Sequence, residues 1–473
     1  MTTTLPPVLV TTAISYTNGD PHIGHVYESI LADFIRRAYT LSGRSCKLLT
    51  GTDEHGQKIQ ETAQRLGITP QELCDQKSGL FQDLNKKAGN KYDYFIRTTQ
   101  DEHKKQVVHS ILESHKNGDI YEDDYTGWYN VREESFVNDT EAHLTNYRDP
   151  VTGTPYERVS EKTHKFRLSK YTPDLSIVHP RPSRVDEPRD ISITRIKVSW
   201  GIPFPLDVST TTYVWFDALL NYVTGAKLCF GDAVPETHHI IGKDILWHHG
   251  VIYPAILKSS GLEAYIPKRV IVHGHIVDGN GRKISKSLGN YVGVDEIFSR
   301  YSVDALRYFL ITETCFSTGD DLLFSHDRLV SVHNNELLKS YGNLFQRLFT
   351  LIRPIQSEIN NAIATAPHDD AAEKALEVFL DDLDFFAYKR CYQSILTEAN
   401  TVLTNEKPWT KDLADKVEIL GRVFSLLHQA SILLYPIIPS KVDELYNHFG
   451  TTLSLPVINI TDTGKIIAFQ QIK

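Results

Sequence analysis

A short β-branched run from Pro7 to Thr12 is followed by a turn cluster, Tyr16-Thr17-Asn18-Gly19-Asp20-Pro21, and then by helical periodicity from about His25 to Tyr39. The same succession recurs at once. Ser45 to Thr50 reads as a second strand, Gly51-Thr52-Asp53-Glu54-His55-Gly56 as its loop, and another polar-apolar helix follows. Strands separated by helices do not pair through tight hairpins; the crossover sets neighbouring strands parallel and covers a face of the sheet. The alternation predicts an α/β fold with a parallel sheet, and it directs any ligand to the C-terminal ends of the strands, where the two loops lie.

At 473 residues the chain exceeds what one hydrophobic core serves. Residues 1–117 read as the first half of the α/β domain. Between about Gly118 and Arg167 the pattern changes to short strands and turns, including Asp149-Pro150-Val151-Thr152-Gly153-Thr154-Pro155, which marks an inserted subdomain over 118–167. Thr212 to Phe216, His238 to Ile241 and Val270 to His273 are expected to supply the second half of the sheet, over 168–265 and into a further region, 266–325. From about His326 to Phe449 amphipathic helices dominate, broken near Pro354, Ala366-Pro367-His368 and Pro436, so a helix bundle spans 326–449. Residues 450–473, with the β-branched stretch Val457-Ile458-Asn459-Ile460, are set apart as a tail.

Composition removes other classes. Apolar residues at 41% and charged residues at 23% exclude a disordered chain, a fibre and a coiled coil. The formal net charge of -9 requires any nucleic-acid contact to come from local basic patches. The five cysteines are far apart and form no Cys-x-x-Cys pair, so neither zinc nor a disulfide framework is expected, and a reducing cytoplasm fits. The first ten residues lack a basic-apolar leader pattern, and no later apolar run is expected to reach the ~18 residues of a membrane span. Met1 is the only methionine, which nothing in the sequence explains.

Two segments carry chemistry. Pro21-His22-Ile23-Gly24-His25 follows a strand and opens a helix, with two imidazoles three residues apart on one side of the first turn and Gly24 sparing room for a nucleotide. A helix start also favours phosphate through its free N-H groups. Taken alone, such a pair is more often a cap or a surface feature. Gly281-Arg282-Lys283-Ile284-Ser285-Lys286-Ser287-Leu288-Gly289-Asn290 puts three cations within five positions of a glycine-bounded loop, suited to a polyphosphate whose charge shifts during reaction. A solvated basic loop is the plain alternative.

Together, in this order and in a split α/β domain, these segments resemble the HIGH and KMSKS motifs of class I aminoacyl-tRNA synthetases, with Ile284 where the family usually has methionine. Further segments resemble methionyl-tRNA synthetases over almost the whole chain: Thr12-Ala13-Ile14-Ser15-Tyr16, the loop around Asp53, Phe166-Arg167-Leu168-Ser169, Tyr213-Val214-Trp215-Phe216-Asp217-Ala218, Gly242-Lys243-Asp244 and His273-Gly274-His275. Ser15 and His248 depart from the aromatic and the phenylalanine usual there.

The resemblance implies a Rossmann-like catalytic domain split by the insertion, followed by an all-α anticodon-binding bundle. It implies that His22, His25, Lys283 and Lys286 are catalytic, and that Gly24, Gly242, Asp244, His273, Ile276, Ser285 and Ser287 bind ATP. Asp53 would hold the amino acid's ammonium, while Ile14, Tyr16, Trp215, Ala218, Tyr222, Ile245 and His249 would enclose a thioether. Without the resemblance, Trp215 and Tyr222 read as ordinary core. In the bundle, Asn343 and Arg347 share a helix face and, with Pro408 and Trp409, would read the anticodon of tRNA(Met). For Trp409, helix packing is the alternative. The expected partners are ATP with Mg2+, methionine and tRNA(Met), acting on a cytoplasmic monomer without zinc. The insertion is too short for the editing domain of the leucine, isoleucine and valine enzymes, and the zinc-thiolate site of the cysteine enzyme has no cysteines to build it. A non-catalytic tRNA-binding relative and a small-molecule nucleotidyltransferase are the readings from other classes.

Overall fold

The computed structural model describes residues 5–130, 135–137, 139–150, 152–183, 185–196, 198–282, 284, 293–365, 370–454, 458–460 and 466–472. The chain divides into two compact units. The first comprises Met1–Glu28, Ser45–Lys86 and Lys91–Val272; the second comprises Ser29–Arg44, Lys87–Asn90 and His273–Lys473.

The first unit is built on a seven-stranded sheet in the order Ser15–Tyr16, Cys46–Asp53, Val8–Thr12, Glu236–Gly242, Arg269–His273 and Val178–His179, with Tyr94–Arg97 also pairing to Cys46–Asp53. Val8 pairs with Cys46 on one side and with Glu236 on the other, both in parallel. Val8, Leu9 and Val10 are fully buried, as a central parallel strand covered on both faces requires. Gly51 allows the next strand to close in: a Cβ there would lie 2.0 Å from the Ile96 carbonyl oxygen.

Helices Ile23–Leu41, Gln57–Leu66, Pro70–Lys87 and Asp101–Lys116 follow the strands as the alternation predicts. The insertion differs from the expected short strands. Ile120–Asn130 pairs antiparallel with Glu157–Phe166 along ten residue pairs, Ile120↔Phe166 to Tyr129↔Glu157, within a four-stranded sheet that also takes in Ile191–Ser192. Thr212 to Phe216 does not enter the parallel sheet. Asp207–Thr212 belongs to a separate three-stranded sheet and the chain turns at once into helix Val214–Leu219, in which every residue but Trp215 is buried.

In the second unit, helices Val303–Thr312, Asn343–Ile352, Ala371–Asp382, Phe385–Asn405, Leu413–Leu434 and Pro439–His448 form the bundle. Asn343–Ile352 shows why: Leu344, Phe345, Leu348, Phe349 and Ile352 recur at helical spacing and are all buried. Arg307, 1% exposed, donates to the carbonyls of Pro436 and Ile437 and to Asn90 Oδ1, and pairs with Asp33 at 2.8 Å. That buried hub joins the early segments of this unit to its C-terminal helices.

Leu413–Leu434 is long and apolar enough to cross a bilayer, contrary to the expectation that no run would be, yet one face packs against Phe385–Asn405 and Gln356–Thr365 in the bundle. The tail folds back on the same bundle. Ile458 exchanges hydrogen bonds with Asn360, Ile466 O accepts from Gln346, and Ala468 and Phe469 are buried.

Candidate active site

In the first unit His22 precedes helix Ile23–Leu41 and His25 lies in its first turn. Their rings sit 4.0 Å apart between centroids. The His22 amide donates to His25 Nδ1 at 3.1 Å and the Gly24 amide to His22 Nδ1 at 3.0 Å. Both Nδ1 atoms therefore accept, which leaves Nε2 as the proton-bearing nitrogen of each neutral ring, the form that donates to a phosphate oxygen. Gly24 is demanded by this arrangement, since a Cβ would come within 2.8 Å of His22 Cε1.

Asp53 ends strand Cys46–Asp53, is 8% exposed and pairs in register with Tyr16. Ile14, Tyr16 and Trp215 pack against the core cluster that contains Tyr222, while Ile245 packs against a neighbouring one. Ala218 is buried one helical turn after Trp215. Tyr222 and His249 meet at 2.8 Å, Oη to Nε2. His249 Nδ1 lies 3.0 Å from the Ile245 carbonyl, which can only accept, so Nδ1 carries the proton and Nε2 accepts from the tyrosine hydroxyl. Burial lowers the His249 pKa to about 4, with the Ile245 carbonyl opposing, and raises that of Tyr222 well above its ordinary value. The pair is neutral.

His248 stacks on Trp215, ring centroids 3.7 Å apart and 18° from parallel. Burial, assisted by His249, takes its pKa down to about 3, and its buried Nδ1 has no hydrogen-bond partner among the described residues. It acts as a flat aromatic at the position where the resembled family usually has phenylalanine.

Gly242 closes strand Glu236–Gly242 and is buried, whereas Asp244 is exposed in the turn Lys243–Ile245. Lys283, Ser285, Lys286 and Ser287 lie outside the described residues. In the second unit His273 and Ile276 are buried, and Arg282, counted among the loop cations, is held by Asp278 through two nitrogens at 3.1 and 2.9 Å. Asn343 is exposed and Arg347 half-buried on one helix; Trp409 is 51% exposed. Pro408 is buried, so it shapes the turn Pro408–Thr410 and only Trp409 is presented. No group of three or more His, Cys, Asp or Glu side chains is arranged to hold a metal among the described residues.

Sequence reasoning missed the polar groups behind the pocket. Asp217 is fully buried between His55 Nδ1 at 2.6 Å and His103 Nε2 at 2.7 Å. Burial would raise its pKa, but the electrostatic pull of His55 and the hydrogen bonds from His103 and His55 bring it down to about 2. An acid inside the apolar run Phe216-Asp217-Ala218-Leu219-Leu220 was the signal that could have found it.

The family model described as tRNA synthetases class I (M) matches residues 8–170 and 185–349, and the chain belongs to that family. It is 39% identical to the methionine-tRNA ligase of Deinococcus radiodurans, over 93% of this chain and 70% of that protein. It is 35% identical to that of Brucella melitensis biotype 1, over 96% of this chain and 95% of that protein. A solved structure of Mycobacterium tuberculosis methionyl-tRNA synthetase in complex with methionyl-adenylate superposes with a TM-score of 0.85 at 29% identity, covering 98% of this chain and 100% of that one.

Proposed function

We propose that this chain joins methionine to tRNA(Met) in two steps. The carboxylate of methionine attacks the α-phosphorus of ATP, forming methionyl-adenylate and releasing pyrophosphate. The 3'-terminal ribose hydroxyl of the tRNA then takes the acyl group, releasing AMP. The observation that carries this reading is the neutral Tyr222–His249 pair, with Trp215 and Tyr16 packed against the core cluster that holds Tyr222 and with Asp53 in register beside Tyr16. A long, weakly hydrogen-bonding thioether fits that wall, with sulfur-aromatic contact adding up to ~1.5 kcal/mol, and its ammonium pairs with Asp53.

The first step needs no general base, because the attacking carboxylate is already ionised. His22 and His25 donate from Nε2 to the phosphates at the helix start, beside Gly24. Lys283 and Lys286 balance charge on the departing pyrophosphate, with Ser285 and Ser287 binding alongside; Gly242, Asp244, His273 and Ile276 bind the rest of the nucleotide. Magnesium assists in this family's chemistry as an ion borne by the triphosphate. The described residues offer no protein cage for it, so no step is assigned to it. Asn343, Arg347 and Trp409 contact unpaired anticodon bases by amide, guanidinium and indole. The protein works as a cytoplasmic monomer without zinc.

ATP-pyrophosphate exchange with each amino acid in turn tests the proposal. Exchange with methionine alone is expected. Exchange with a different amino acid overturns the pocket assignment, and exchange with none overturns the activity.

A further inference from the structure

Three consecutive residues at the end of strand Cys46–Asp53 go to three destinations in the first unit. Asp53 stands beside Tyr16 at the pocket. Glu54, fully buried, accepts from Thr52 Oγ1 at 2.7 Å, Arg97 Nε at 2.6 Å and Thr99 Oγ1 at 2.5 Å. His55, 4% exposed, reaches Asp217, whose second oxygen holds His103 on helix Asp101–Lys116; His103 Nδ1 then meets Thr224 Oγ1 at 3.2 Å.

The positions of these groups matter. Asp217 lies on helix Val214–Leu219, two residues after Trp215 and one before Ala218, and Thr224 lies two residues after Tyr222 on helix Asn221–Phe230. One carboxylate without solvent contact therefore ties the loop that carries Asp53 to both short helices that carry the apolar wall. A buried charge is costly unless paired and hydrogen-bonded. Here both oxygens are satisfied, and the carboxyl is held ionised by its two histidines. A recognition site for an amino acid must hold its ammonium contact and its side-chain wall at a fixed separation, and that separation is what this strut spans.

We infer that Asp217 is a positioning residue for the amino-acid substrate, setting through His55 and His103 the spacing between Asp53 and the wall formed by Trp215 and Tyr222. This rests on the methionine-pocket reading above. None of the hydrogen bonds of the strut reaches the nucleotide segments, so its loss acts on methionine rather than on ATP. An error of about 1 Å in such a spacing is worth up to ~100-fold.

The test is pyrophosphate exchange by the full chain and by its Asp217→Asn, His55→Gln and His103→Gln variants, with KM for methionine and for ATP measured separately and folding checked by urea melts. Asp217→Asn is expected to raise the methionine KM by ~10- to 100-fold while the ATP KM stays within ~2-fold. The glutamine variants, which keep an amide donor toward Asp217, should recover part of the loss and keep the inference testable if Asp217→Asn does not fold. In a cycle with Asp53→Asn, the double variant should lose scarcely more methionine affinity than the worse single variant, because one change acts through the other. Parallel rises in both KM values, an unchanged methionine KM in folded variants, or additive losses in the cycle would each overturn the inference. An unaltered chain that gives no methionine-dependent exchange overturns the pocket reading as well, whereas normal exchange without the split overturns the strut alone.

Discussion

Acidification should loosen the first unit through His249 in a pH window that its surroundings fix. In the folded protein the ring is neutral, donating to the Ile245 carbonyl and accepting from Tyr222, with its pKa lowered from 6.5 to about 4 chiefly by burial. Protonating Nε2 would set it against the tyrosine hydroxyl that donates to it. In the unfolded chain the same ring takes a proton near pH 6.5, so the unfolded state binds more protons between that pH and about 4. Stability is therefore full above pH 6.5 and declines as the pH falls, by ~1.4 kcal/mol per unit for one histidine, or about 2 kcal/mol by pH 5.

His239 and His248 are shifted the same way, also chiefly by burial, and add to the slope. Asp217 does not overlap with them: its carboxyl is depressed from 3.8 to about 2, so its contribution is lost only below pH 4. The assay is urea unfolding at pH 7 and pH 5 followed by tryptophan fluorescence in a Trp409→Phe background, which reports on the first unit because Trp128, Trp200, Trp215 and Trp247 all lie there and Trp409 lies in the second. The unaltered chain should lose about 2 kcal/mol more than a His249→Gln variant over that interval. Equal losses in the two proteins would refute the reasoning, since the histidine would then titrate alike in the folded and unfolded states.

Gly24→Ala puts a Cβ within 2.8 Å of His22 Cε1 and must displace that ring; exchange turnover should fall by up to ~100-fold with methionine KM unchanged, and an unimpaired turnover would remove His22 from the phosphate site. His248→Phe removes a buried Nδ1 that has no partner among the described residues while keeping the stack on Trp215, so urea melts should show a gain of ~1 kcal/mol and exchange should persist; a loss of stability would mean that the nitrogen is hydrogen-bonded in solution. Trp409→Ala should raise the tRNA KM in aminoacylation by an amount equivalent to ~1–3 kcal/mol and leave pyrophosphate exchange untouched; equal effects on both assays would place the indole in the catalytic machinery instead.

The sequence by itself determined the parallel α/β frame, because strand-helix alternation around Val8–Thr12 and Cys46–Asp53 leaves hardly any other way to pair strands, and it determined the helical second half through the apolar spacing seen in Asn343–Ile352. Asp53 and the apolar wall stood out only because their segments resemble methionyl-tRNA synthetases; by residue type alone Trp215 and Tyr222 read as ordinary core. Only the tertiary structure decided that Thr212–Phe216 turns into a helix, that residues 29–44 cluster with 273–473, and that Pro408 is buried while Trp409 is not. It alone joined Asp217 to His55 and His103, 162 and 114 positions away along the chain. The reason is physical: periodicity reports which face of an element is apolar, whereas the partner of a buried charge is chosen by packing among elements distant in sequence, and no local pattern records that choice.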